Sequence, residues 1–143
     1  CAGDDGHVCL WDVASGEQLM YLNSEYTSSP FALQVAVAPD WSRFAIDDPS
    51  HIGGAYSLPD GKLLYDFEIL GPEVMGLYGA ACFTPDSERL LVAVNTPRAD
   101  NMEIAVLDAA TGERLGAYPY HVSNFLALSP DGTKCYSQKR VKE

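Results

Sequence analysis

A Pro-Asp turn that follows a short apolar run recurs in this chain at a nearly constant interval. The three copies are Ala36-Val37-Ala38-Pro39-Asp40, Cys82-Phe83-Thr84-Pro85-Asp86 and Ala127-Leu128-Ser129-Pro130-Asp131, and their aspartates lie 46 and 45 residues apart. Proline presets φ for a turn and aspartate hydrogen-bonds the backbone ahead of it, so each copy is predicted to reverse the chain. A period of this length indicates repeated supersecondary units.

A second series of turns follows the same period. The segment Asp12-Val13-Ala14-Ser15-Gly16-Glu17 returns as Asp108-Ala109-Ala110-Thr111-Gly112-Glu113, and in weaker form as Leu58-Pro59-Asp60-Gly61-Lys62. Its glycines are 45 and then 51 residues apart, and we expect a larger loop at residues 95–101 to absorb the difference. Glycine supplies the positive φ that such a reversal requires.

Four short strands are predicted in each complete unit. The runs between turns are about five residues long, rich in β-branched residues and bounded by turn formers, as expected of strands. The second unit predicts strands at 34–38, 43–46, 54–58 and 63–67, and the third at 79–83, 89–94, 102–107 and 114–118. A further strand is expected near 134–138. The chain is therefore predicted to be all-β.

Four-stranded units with this period are typical of β-propeller blades. The run from Asp5 to Asp12 resembles the turn, third strand and Trp-Asp dipeptide of a WD40 repeat, and Tyr120-His121 resembles the Gly-His entry of that family. The resemblance implies that Asp5 and Trp11 belong to a structural hydrogen-bonded network. Tyr56-Ser57 and Leu107-Asp108 occupy the place of the dipeptide in the next two units. We also expect Trp11 to pack between neighbouring sheets.

The predicted fold is an all-β β-propeller segment of about three four-stranded antiparallel blades, radially arranged and not a closed ring on its own. Closed propellers have roughly four to eight blades, so the remainder of a longer propeller or a second copy of the chain would complete the ring. Residues 1–22 are assigned to the end of one blade, 31–68 to a second, 77–118 to a third and 123–138 to the start of another. The residues assigned structural roles are Asp5, Trp11, Asp12, Pro39, Asp40, Pro85, Asp86, Asp108, Gly112, Pro130 and Asp131.

The charge of the chain points to a protein or peptide partner. Twenty acidic and nine basic residues give a net charge of −11, which repels phosphate backbones and anionic lipid headgroups and favours a basic partner. We therefore expect neither nucleic acid nor membrane binding, although the same acidity also serves solubility. No signal peptide and no apolar run of the roughly 20 residues that a membrane helix needs is recognised.

The cysteines indicate neither a metal site nor a disulfide framework. Cys1, Cys9, Cys82 and Cys135 form no CxxC pair. Cys82 and Cys135 lie in apolar runs, where a reduced thiol acts as a small hydrophobic group, so both are predicted to be core thiols. This pattern favours a reducing compartment, the cytoplasm. No cofactor is expected.

Catalytic motifs are not recognised, and we expect a non-enzymatic interaction scaffold. The densest polar cluster, residues 47–51, lies in a predicted loop rich in ordinary turn formers. Loops on a rigid scaffold carry binding, so the candidate contacts are the predicted rim-loop residues Tyr26, His51, Arg98 and Tyr120. Trp41, in a Pro-Asp turn, is expected to be exposed.

Two alternatives stay open. Residues 106–113 also resemble repeats of quinoprotein dehydrogenases, which would imply an oxidoreductase with a cofactor and a metal at the ring centre. Those repeats usually place a tryptophan in the following strand, whereas residues 115–118 contain none. The other alternative is a purely structural spacer between domains.

Overall fold

A computed structural model describes residues 7–23, 34–47, 53–67, 76–95, 102–119 and 126–137. Within these ranges the chain forms twelve β-strands and no α-helix. The strands are β1 (His7–Trp11), β2 (Gln18–Asn23), β3 (Gln34–Val37), β4 (Arg43–Asp47), β5 (Gly54–Ser57), β6 (Leu63–Asp66), β7 (Gly76–Phe83), β8 (Arg89–Asn95), β9 (Met102–Asp108), β10 (Arg114–Pro119), β11 (Leu126–Leu128) and β12 (Cys135–Ser137).

Each strand pairs antiparallel with its neighbours in sequence. Strands β1 and β2 form sheet 1, β3 to β6 form sheet 2, β7 to β10 form sheet 3, and β11 and β12 form sheet 4. Sheets 2 and 3 are thus four-stranded meanders, while sheets 1 and 4 have two strands each in the described part of the chain. The predicted all-β class with several antiparallel sheets is confirmed.

The strand bounds agree with those predicted from the turn residues to within three residues. The largest difference is at β7, which begins at Gly76 rather than at residue 79. The pairing of β7 with β8 shifts register between Leu77 and Ala81. Glycines at 76 and 79 make the start of β7 a weak strand pattern, because glycine has low strand propensity.

Successive sheets pack against one another through three buried clusters. Val8 and Met20 of sheet 1 meet Phe44 and Ile46 of sheet 2. The cluster between sheets 2 and 3 consists of Ala38, Ala45, Phe67, Phe83, Leu90, Val92, Val94, Ala105, Leu107 and Ala109. The cluster between sheets 3 and 4 consists of Ala80, Leu91, Ala93, Ile104, Val106 and Leu126.

Sheets 2 and 3 therefore bury both faces, which explains why apolar and polar residues do not simply alternate along β8. Along β8, Leu90 and Val92 belong to the cluster facing sheet 2, whereas Leu91 and Ala93 belong to the cluster facing sheet 4. Successive side chains point to opposite faces of a strand. Every position of the run 90–94 is therefore apolar because each face has a neighbouring sheet to cover it.

The six tight turns lie at one edge of the sheets, which we call the turn edge. Their segments are 12–17, 38–42, 58–62, 84–88, 109–113 and 129–134. Sheets 2 and 3 are hydrogen-bonded to each other here: the Asp40 amide donates to Ser87 Oγ at 3.1 Å, and Arg43 Nη1 donates to the Ala109 carbonyl oxygen at 2.6 Å. We call the opposite ends of the strands, away from these tight turns, the loop edge.

Candidate functional site

The four predicted contact residues, Tyr26, His51, Arg98 and Tyr120, lie outside the described residues. The strands that flank them are described, and they end or begin at the loop edge. For example, β4 ends at Asp47 and β5 begins at Gly54, on either side of His51. The assignment of these four residues to a binding surface stays a prediction.

The turn aspartates are engaged in their own turns. The Asp108 carboxylate accepts hydrogen bonds from the amides of Ala110 at 2.9 Å and Thr111 at 2.8 Å, and from the Thr111 hydroxyl. These bonds favour the charged form and hold the pKa of Asp108 below its usual value, the Thr111 amide having the largest effect. The hydroxyl of Ser129, followed by the amide of Thr133, lowers the pKa of Asp131 to about 2.

Asp12, Asp40 and Asp86 follow the same pattern. Their pKa values are lowered chiefly by hydrogen bonds from Ser15, Ser42 and Thr84, respectively. Carboxylates that are ionised well below neutral pH and occupied by their own backbone act as turn caps rather than as acid/base groups. Asp5 lies outside the described residues, and Pro39, Pro85 and Pro130 are exposed in their turns.

The residue after each Pro-Asp pair has positive φ in three sheets, which was predicted from the sequence for none of the three. Gly132 is the obvious case with φ of 68°, but Trp41 and Ser87 adopt the same conformation with φ of 58° and 63°. Trp41 is 63% exposed, as expected, whereas Ser87 is buried. At the interface of sheets 2 and 3, the hydroxyl oxygen of Ser87 accepts a hydrogen bond from the Asp40 amide.

The carbonyl oxygen of Ala109 joins sheet 3 to sheet 2. It accepts hydrogen bonds from Arg43 Nη1 at 2.6 Å and from the Tyr65 hydroxyl at 3.2 Å, both from sheet 2. Burial raises the pKa of Tyr65 to about 12, so the hydroxyl keeps its donor proton throughout the neutral range. Arg43 and Tyr65 were not singled out from the sequence, because their partner lies 66 and 44 residues away.

A turn glycine of one sheet rests on the last strand of the sheet before it. A Cβ at Gly61 would lie 2.9 Å from Met20 Sδ, and a Cβ at Gly112 would lie 2.6 Å from Tyr65 Cδ2. The two contacts are equivalent because Met20 and Tyr65 occupy the same position in their own hairpins. Met20 lies four residues after Gly16 in the chain, and Tyr65 lies four residues after Gly61. The same relationship therefore joins sheet 2 to sheet 1 and sheet 3 to sheet 2.

The interface between sheets 3 and 4 contains an open cleft of about 400 Å³. Its volume falls within the range of small-molecule sites. Arg89 and Lys134 give it two cationic groups in an otherwise acidic protein. The residues that line it are Thr84, Arg89, Leu91, Ile104, Val106, Tyr118, Leu128, Gly132, Thr133, Lys134 and Cys135.

Two expectations about buried residues are wrong. Trp11 does not pack between sheets and is 47% exposed, because its side chain is on the face of sheet 1 that no described sheet covers. Cys135 is exposed rather than a core thiol, since it borders the open cleft. Cys82, in contrast, packs against the cluster between sheets 3 and 4, and burial raises the pKa of its thiol to about 12.

Within the described ranges, histidine, cysteine and carboxylate side chains form no group of three that could hold a metal ion. The same residues include no helix of the length and apolar character needed to cross a membrane. Of the polar cluster at 47–51, only the backbone of Asp47 is described. No protein-family model matches this sequence, and comparison with curated proteins finds no match.

Proposed function

We propose that the chain is a segment of a WD40-like β-propeller and a non-enzymatic scaffold that binds a protein or peptide through its loop edge. The observation that best supports this proposal is the repeated joining of successive sheets. Gly61 of sheet 2 rests on Met20 of sheet 1, and Gly112 of sheet 3 rests on Tyr65 of sheet 2 at the equivalent place. Four-stranded meanders repeated around an axis are the blades of propellers.

The two edges of the sheets suit different roles. The connections at the turn edge are short turns capped by their own aspartates, and hydrogen bonds to Ala109 and Ser87 join sheets 2 and 3 there. A surface of this kind supports rigidity, and binding is usually carried by longer connections on such a scaffold. The longer connections, which contain Tyr26, His51, Arg98 and Tyr120, all join strands at the loop edge.

Charge supports a basic partner. The net charge of −11 creates a field that attracts cationic surfaces and speeds their association. Interactions of this origin weaken as salt concentration rises, because counter-ions screen them. A basic peptide segment that adds aromatic or hydrogen-bonding contacts to the loop edge would fit both the field and the residue types there.

Capture of partners by the immobilised chain tests the proposal. The wild-type protein, a variant with Tyr26→Ala, Arg98→Ala and Tyr120→Ala, and a control with Glu17→Ala and Lys62→Ala at the turn edge are compared in 0.1 M and 0.5 M salt. The loop-edge variant should capture at least tenfold less basic protein than the wild type, and the turn-edge control should capture as much as the wild type. Equal capture by all three would contradict loop-edge binding.

The same purified sample separates the two alternatives. A quinoprotein-like enzyme predicts a cofactor absorbance band, which the scaffold does not. A structural spacer predicts no specific capture by the wild type at either salt concentration.

A further inference from the structure

We propose that Met20 is a redox-sensitive contact between sheets 1 and 2, and that oxidation of its sulfur by hydrogen peroxide loosens the packing of the β1–β2 hairpin on sheet 2. The inference concerns the contact between these two sheets and not the partner of the loop edge. It can therefore hold or fail independently of the proposed function.

The sulfur of Met20 rests on the backbone of the neighbouring sheet. A Cβ at Gly61 would lie 2.9 Å from Met20 Sδ and 3.5 Å from Met20 Cγ. On that side of the sulfur there is room for a bare glycine backbone but not for a further heavy atom. Met20 also belongs to the buried cluster with Val8, Phe44 and Ile46. An oxygen atom added to the sulfur therefore has to displace groups that hold the two sheets together.

The next interface has a tyrosine at the place of Met20. Gly112 rests on the ring of Tyr65 as Gly61 rests on the sulfur, and the Tyr65 hydroxyl donates a hydrogen bond to the Ala109 carbonyl oxygen at 3.2 Å. A thioether has no hydrogen to donate. At this position, the contact between sheets 1 and 2 therefore relies on apolar packing around an oxidisable atom.

A sulfoxide oxygen at this place would face another acceptor. The turn after β5 is closed by the same backbone hydrogen bonds as the turn after β9, including one from the Gly61 amide to the Ser57 carbonyl oxygen at 3.0 Å. This equivalence gives the Leu58 carbonyl the place of the Ala109 carbonyl. The Tyr65 hydroxyl can donate to such a group, whereas a sulfoxide oxygen cannot. Burial of an unpaired polar atom is unfavourable, so oxidation should weaken the contact.

The thiols of Cys82 and Cys135 are less suited to sense peroxide. A thiol reacts as its thiolate, but burial raises the pKa of Cys82 to about 12 and raises that of Cys135 as well. Both thiols therefore stay protonated at neutral pH. A thioether has no proton to lose, so its oxidation does not depend on a pKa. The exposed 9% of the Met20 surface gives hydrogen peroxide a route to the side chain.

The oxidation step is a transfer of one oxygen atom. A lone pair on Met20 Sδ attacks one oxygen of hydrogen peroxide, and the S–O bond forms as the O–O bond breaks. The other oxygen leaves as hydroxide and takes the proton of the transferred oxygen to become water. The sulfur loses two electrons and the peroxide gains them. Methionine sulfoxide reductases reverse the change, so the contact can be restored.

Hydrogen exchange of the full chain tests the proposal. Wild type and Met20→Leu are treated with hydrogen peroxide and then with dithiothreitol, which reverses disulfide formation but not sulfoxide formation. Leucine is close to methionine in volume and lacks the sulfur. Peptide mapping should find one added oxygen at Met20 of the wild type. Its amides in β1 and β2 should then exchange at least about tenfold faster than before treatment, while those in β9 and β10 should be unchanged. Met20→Leu should show no acceleration.

A second variant transfers the sulfur to the next interface. Tyr65→Met combined with Met20→Leu places a thioether against Gly112. Peroxide should now accelerate exchange in β6 and β10 of this variant and leave β1 and β2 unchanged. Treatment with methionine sulfoxide reductases should return the exchange rates of the wild type and of this variant to their starting values.

Four results would overturn the proposal. Met20 could take up no oxygen while free methionine in the same mixture is fully oxidised, or its sulfoxide could leave exchange in β1 and β2 unchanged. Equal acceleration in Met20→Leu would assign the effect to another residue. No acceleration in β6 and β10 of the Tyr65→Met, Met20→Leu chain would remove the role of the glycine contact. Partner capture by untreated Met20→Leu tests the loop edge separately, because this variant leaves the loop-edge residues unchanged.

Discussion

The backbone of Gly112 lies against the ring of Tyr65, so closely that a Cβ on this glycine would be 2.6 Å from Tyr65 Cδ2. The glycine also has a φ of +75°, which side-chain-bearing residues rarely adopt. Two independent requirements, the backbone conformation and the close approach of a neighbouring sheet, therefore meet at one residue. Gly16, Gly61, Gly112 and Gly132 all have positive φ, but a Cβ on Gly16 would meet no other atom of the fold within 4 Å.

Gly112→Ala should consequently destabilise the protein more than Gly16→Ala. Gly16 has a φ of +72°, but a Cβ added there would have no neighbouring atom from elsewhere in the fold within 4 Å, so alanine costs only the left-handed backbone, about 1 kcal/mol. At Gly112 the displacement of Tyr65 should add about 1–3 kcal/mol. The difference is measured by urea unfolding, and equal losses for both variants would show that Tyr65 moves aside freely.

The bonds to Ala109 should be coupled energetically. Tyr65→Phe leaves the buried carbonyl with its Arg43 bond and should cost about 1 kcal/mol, while Arg43→Met should cost about 1.5–3 kcal/mol because the lost donor is charged. Removing both leaves a buried acceptor without either donor. The double variant should therefore lose about 1 kcal/mol more than the sum of the single losses, as measured by a double-mutant cycle. Simple additivity would indicate that water replaces both donors.

Leu107 should be among the most sensitive apolar positions. It is fully buried between sheets 2 and 3, so Leu107→Ala should destabilise the protein by about 2–5 kcal/mol through lost burial and a cavity. Leu115→Ala is the control, because Leu115 is 53% exposed, and should change stability by no more than about 0.5 kcal/mol. Chemical denaturation of the two variants gives the comparison, and a similar small effect for both would argue against tight packing of these sheets.

Much of this fold could be predicted from the spacing of turn residues, because those turns are stabilised locally. Asp108 and Asp131 bond to residues within three positions of themselves, so their role is visible in a short stretch of sequence. The contacts of Arg43 and Tyr65 with Ala109 depend on how separate sheets stack, and no local pattern reports that. Trp41 and Ser87 show the same limit, since nothing in their residue types indicates a positive φ.

The candidate site was less predictable than the fold for a related reason. The exposed states of Trp11 and Cys135 follow from which faces of sheets 1 and 4 have a neighbour. The alternation of apolar residues along a strand predicts which face of the sheet is suited to burial. It does not predict which other sheet packs on that face. Comparison of equivalent positions in successive sheets supplies this information, because Leu107 and Leu90 show what surrounds such residues once a neighbour is present.

The turn aspartates should make stability fall in acid. The pKa of Asp131 is lowered from 3.8 to about 2, chiefly by the Ser129 hydroxyl, and those of Asp12, Asp40, Asp60, Asp86 and Asp108 are lowered as well. Because the folded state holds these groups ionised where the unfolded state binds protons, their contribution is present above about pH 4 and is lost as the pH falls toward 2. The melting temperature should therefore be insensitive to these groups from pH 5 to 7 and should decline below pH 4.

Ser129→Ala provides the direct check on this assignment. Without the Ser129 hydroxyl, the pKa of Asp131 should rise toward 3.8, and NMR titration of its carboxyl carbon should follow the change. The variant should also show a shallower decline of melting temperature between pH 4 and 2.5, since less of the pKa difference between folded and unfolded states is left. An unchanged Asp131 titration in this variant would mean that the Thr133 bonds alone hold the carboxylate, and that the Ser129 contact contributes nothing to acid sensitivity.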